Sequence, residues 1–100
     1  MHPDKRLEIA LTGCARRHAL ANSTDTEAIN ELRLIAQGRA DLLAEAAGYA
    51  IGAWTANPAG NDPRTLRAGW LLVAAGADPT TVTEHIDRAR ENAGRDGWAY

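Results

Sequence analysis

Cys14 and His18 stand four residues apart, the spacing that puts a thiol and an imidazole on one face of a helix as half of a zinc site. A structural zinc site wants four such donors, and the other histidines, His2 near the start and His85 far along the chain, complete no spaced set. No metal and no cofactor is therefore expected. Cys14 reads as a packed core thiol beside a hydrogen-bonded His18. Asp41 and Glu45, also four apart, read as a solvated pair on the polar side of a helix. There is no glycine-rich phosphate loop, no nucleophile elbow, no HExxH and no paired carboxylates on an otherwise apolar face. The expectation is a protein that does not catalyse.

The elements that would position these residues are all helical. Leu7, Leu11, Cys14, His18 and Ala21 recur at intervals of four and three over roughly 4–21, while Ile9, Gly13 and Leu20 fall near the opposite side. A helix apolar on two sides touches two neighbours. Thr24-Asp25-Thr26-Glu27 matches a capping box and starts a second helix. Asn57-Pro58 stops it, because the residue before a proline is pushed out of helical backbone. Between those signals the apolar phase runs straight through Gly38, which predicts one long helix over about 26–56. Arg39 falls within the apolar arc of that helix, where an unpaired charge is too costly, so a salt bridge near the bend is expected. Asn57 to Asp62 is turn chemistry, and Asp62-Pro63 and Asp78-Pro79 each start a further helix. The third helix ends at Gly76 and the fourth runs to about Ala93. The predicted fold is all-α: a single domain over 1–100 with four helices, one of them long and central, and a helix-turn-helix-like pair at the C-terminal end.

Leu43 to Ala56 is apolar nearly all round, with Glu45 its one charge. Within it Ala44, Gly48, Gly52 and Ala56 form a ladder of small side chains at spacing four, which lets another helix backbone approach closely. The ladder serves either the packing of one chain or an interface between two, and a homodimer is the preferred expectation. Trp98 and Tyr100 lie beyond the last helix and either cap the core or meet a partner.

The bulk properties narrow the classes. The chain has 100 residues, 45% of them hydrophobic and 24% charged, and a net charge of −2, which is an ordinary globular composition without a basic excess for phosphates. Ten arginines against a single lysine, with heavy use of alanine, fit a GC-rich coding sequence of a bacterium or phage. One cysteine suits a reducing compartment, and with no long apolar run a cytoplasmic, membrane-free protein is expected.

The segment from Leu72 to Thr83 resembles the helix-turn-helix of bacterial regulators at Gly76, Thr81, Val82 and Thr83. That resemblance implies DNA contacts from Thr80, Thr81, Thr83, Arg88 and Arg90. Glu84 and Asp87 put acid on the same helix, where phosphates would repel it. The first expectation is therefore a small protein–protein interaction or regulatory module that self-associates, and the alternative is a DNA-binding regulator.

Overall fold

His2 and Pro3 start the first helix. In the computed structural model, which describes residues 2–56 and 63–96, α1 (Pro3–Ala21) opens with the His2 ring Nδ1 accepting the Asp4 N–H at 3.1 Å. Asn22 closes it in left-handed backbone, φ 56°, donating its N–H to the His18 carbonyl. Next, the Thr24 hydroxyl accepts the Glu27 N–H at 3.3 Å and starts α2 (Asp25–Ala36), as the capping-box spacing predicts.

The single long helix over 26–56 is not what forms. The chain breaks at 37–39, and helix resumes as α3 (Ala40–Ala56). Gln37 (φ 50°) and Gly38 (φ 81°) both take left-handed backbone, and two successive residues there cannot continue a right-handed helix. The ends of the break are bonded: Gln37 N–H donates to Arg33 O at 3.1 Å and Arg39 N–H to Ala36 O at 3.0 Å. Turning the chain here lets α2 pack chiefly on α1 while α3 runs between α1, α4 and α5. A straight helix of that length would run about 45 Å, whereas the longest dimension of the molecule is 35 Å.

The remaining boundaries follow the turn residues. α4 (Pro63–Ala74) begins at its first-turn proline and ends before Gly76, which sits at φ 121°. The Asp78 carboxylate then accepts both the N–H (2.9 Å) and the hydroxyl (2.6 Å) of Thr81, capping α5 (Pro79–Asp96). Gly94 does not stop this helix, which continues to Asp96. Among the described residues there are five helices and no strand.

α3 is the hub, lying against α5, α4 and α1, while α4 and α5 barely touch each other. It can take neighbours on several sides because Leu42, Leu43, Ala44, Ala46, Ala47, Gly48, Ile51 and Gly52 are all buried. Leu11 of α1, Leu32 of α2 and Leu72 of α4 are the largest fully buried side chains around it. No helix among the described residues is long and apolar enough to cross a membrane.

Candidate functional site

The small-residue ladder is filled from within the chain. A Cβ built on Gly48 would stand 2.3 Å from the Cβ of His85, and one on Gly52 would stand 2.6 Å from the Cβ of Ala89. Both partners belong to α5, whose backbone also approaches: Val82 O lies 3.1 Å from the first position and Ile86 O 3.0 Å from the second. Ala44 is fully buried too. Of the two roles open to the ladder, the structure gives Gly48 and Gly52 the one inside a single chain. Ala56 lies on the last turn of α3, and its side chain is outside the described residues, as are Trp98 and Tyr100 entirely.

The helix-turn-helix-like residues are spread over one outer face of α5. Thr80, Thr83 and Arg88 are exposed there, and so are Glu84, Asp87 and Glu91. Thr81 is turned to the Asp78 cap instead, and Thr83 bonds the Pro79 carbonyl at 3.1 Å. The Arg90 side chain is outside the described residues. In this pair each helix packs on α3 rather than on the other. Among these exposed side chains, the acids on the face offset the cation available to a phosphate backbone.

A cleft of about 530 Å³ opens between α1, α3 and α4. Its walls carry Ile9, Gly13 and Arg16 of α1, Tyr49 of α3 and Thr65 of α4. Arg16 and Thr65 also line a smaller depression that reaches Leu20, so the groove continues along α1. Ile9 is 52%, Leu20 56% and Tyr49 60% exposed along this groove, and Leu34 and Trp70 are exposed elsewhere. Ile9, Gly13 and Leu20 are the stripe that the sequence placed opposite the core side of this helix. The core side itself is Leu11, Cys14, Ala15 and Ala19, with Leu7 and His18 half-buried and Ala21 exposed.

At one wall of the cleft sits a buried carboxyl, Glu8. Burial pushes its pKa above the usual Glu value, and the neighbouring carboxylate of Glu45 on α3 adds to the shift. The sequence displays no such pair because Glu8 and Glu45 are 37 residues apart and meet only through the packing of α1 on α3. Glu45 is half-buried beside Glu8 rather than paired with Asp41 in water, and Asp41 turns to Arg39 instead. Lys5 Nζ lies 3.6 Å from the Glu8 carboxyl at this wall, and Thr12 and Thr65 also line the cleft.

On the other side of α1, Cys14 and His18 meet a third group, Glu31 of α2. The Cys14 Sγ, the His18 Nε2 and a Glu31 carboxylate oxygen lie within 4.8 Å of one another. Glu31 Oε2 contacts His18 Nε2, and Oε1 contacts Arg17, whose guanidinium also reaches Cys14 Sγ at 3.7 Å. Hydrogen bonds from His18 and then Arg17 hold the Glu31 carboxyl below its usual pKa. Burial, with the Glu31 charge beside it, pushes the Cys14 thiol up, which suits an unreactive thiol rather than a nucleophile.

Two arginines fasten this framework. Arg39 makes the salt bridge that its position predicts, with Nη1 and Nη2 each 3.1 Å from the two oxygens of Asp4, and with Nη2 2.9 Å from Asp41. Arg67 of α4 donates to the His18 carbonyl at 3.3 Å and the Ser23 carbonyl at 2.5 Å, tying α4 to the end of α1.

No protein family, curated protein or solved structure matches this chain.

Ile9, Gly13 and Leu20 were legible as a second face because helical periodicity is local. Tyr49, Glu8, Glu31 and Arg67 carried no signal in the sequence. Each acquires its place from a residue on another helix, and single-chain spacing does not encode that distance.

Proposed function

We propose that this chain is a non-catalytic protein-interaction module that self-associates through the outer face of α1. One observation carries the reading: α1 has two apolar faces, and the described residues cover only one. Ile9 and Leu20 stay more than half exposed, and nothing lies within 4 Å of a Cβ built on Gly13 between them. Two large apolar side chains flanking a glycine make a groove into which a second helix can settle closely, with Tyr49 as an aromatic anchor on the far wall.

A second copy of α1 is the occupant that fits best. Gly13 lies near the middle of Pro3–Ala21, so an antiparallel pair crossing there is isologous and closes at two chains. On the cleft side the second half of the helix carries Arg16, while Arg17 is bonded to Glu31 on the other side. Antiparallel pairing keeps the two basic ends apart, whereas parallel pairing stacks them.

Sedimentation equilibrium over a concentration series tests this. The parent chain is expected to pass from one chain mass to two. Gly13→Leu, which has room in the single chain, and Ile9→Asp should each weaken association at least tenfold with unchanged helical circular dichroism. A parent that stays at one chain mass at every concentration overturns the proposal.

A further inference from the structure

The donor set on the far side of α1 has a chemistry of its own, independent of self-association. Cys14 and His18 are one turn apart on α1, and Glu31 reaches them from α2, so two helices pinned together by the core present a thiol, an imidazole and a carboxylate to one point. Sulfur, nitrogen and oxygen donors in one set suit a borderline-soft ion. An ion with tetrahedral bonds holds its donor atoms roughly 3.5 Å apart. The three atoms stand within 4.8 Å of one another, and the ion would take the place of the direct His18–Glu31 contact as those two side chains rotate apart to admit it. We propose that Cys14, His18 and Glu31 bind a zinc ion, with a water in the fourth position.

The surroundings favour that ion. Arg17 holds Oε1 of Glu31, an outer partner of the kind metal-binding carboxylates have, while Oε2 contacts the His18 Nε2 that the ion would take over. Arg17 is no obstacle: its side chain is 62% exposed and can swing from Cys14 into water while keeping Glu31. A thiolate and a carboxylate together cancel the two charges of the ion, so the guanidinium faces a neutral centre. As the metal–sulfur bond forms, the thiol proton leaves to solvent, and any proton shared by His18 and Glu31 leaves as well. Binding therefore tightens as pH rises.

Cobalt(II) is the probe, because a cobalt–thiolate bond gives a near-ultraviolet charge-transfer band that nitrogen and oxygen donors do not. Titrating the full chain with cobalt should raise that band together with the visible bands of a tetrahedral ion, and equimolar zinc should erase both. Glu31→Gln, which keeps the shape of the side chain and removes its charge, is expected to weaken cobalt binding at least tenfold. Cys14→Ser removes the charge-transfer band. His2→Gln leaves binding unchanged. Zinc also raises the melting temperature of the parent and not of Glu31→Gln. Saturation without a charge-transfer band, full affinity in Glu31→Gln, or loss of binding in His2→Gln would each overturn the proposal, and each can be read even if the cysteine variant fails to fold.

Discussion

Gly48 of α3 and His85 of α5 approach so closely that a Cβ on the glycine would stand 2.3 Å from that of the histidine. Real Cβ atoms do not sit that close, so α5 lies where it does because position 48 has no side chain. Gly48→Ala should therefore destabilise by about 1–2 kcal/mol, since overpacking strain outweighs the ~1 kcal/mol that alanine gains in helix propensity. Gly13→Ala is the internal control. Its Cβ meets nothing within 4 Å, so at concentrations low enough to keep the chain monomeric it should gain up to about 1 kcal/mol. Urea unfolding of both variants reads the two signs.

Glu8 makes stability depend on pH in a direction opposite to most carboxylates. Its pKa is raised in the folded chain by burial and by Glu45, so the folded state holds a proton that the unfolded state releases. Its contribution is full below the ordinary Glu value of 4.5 and is lost as pH rises through the folded value. Glu8→Gln should thus be more stable than the parent near neutral pH, with the advantage gone at about pH 4. Thermal melts at both pH values check this.

Asp4 and Asp41 act on the acid side. Hydrogen bonds from Arg39 hold both carboxyls below the ordinary 3.8. Their contribution is present above that value and disappears as pH falls below it, because the unfolded chain then binds more protons. These groups are exposed, so the effect is small and screened by salt. Asp4→Asn should flatten the acid limb of a stability profile at low ionic strength and change little in concentrated salt.

α5 should open before α3. It packs mainly on α3, with Val82 and Ala89 buried and Ile86 partly so, whereas α3 is held by several helices. Losing one interface frees α5, while freeing α3 dismantles the core. Amide exchange is expected to be faster over 80–93 than over 43–52. The reverse order would show that α5 is fixed more firmly than these contacts account for.

Local chemistry was readable without a structure. Thr24, Asp78, Pro63, Pro79 and Gly76 mark helix ends because capping bonds and backbone restrictions act within four residues, and α2, α4 and α5 begin or end there. The two-faced character of α1 and the close-packed ladder of α3 were legible for the same reason, since both are periodicities along one helix. Gly38 was misleading: the apolar phase survives across it, yet Gln37 and Gly38 turn left-handed and the helix stops. Phase records which sides need burial, not whether one axis carries them. Only tertiary packing decided that α5 of the same chain fills the ladder, that Glu8 meets Glu45, and that Glu31 completes the pair of Cys14 and His18. Those contacts join residues 13 to 37 or more positions apart, and their energy comes from burying helices against one another, a quantity that no local spacing carries.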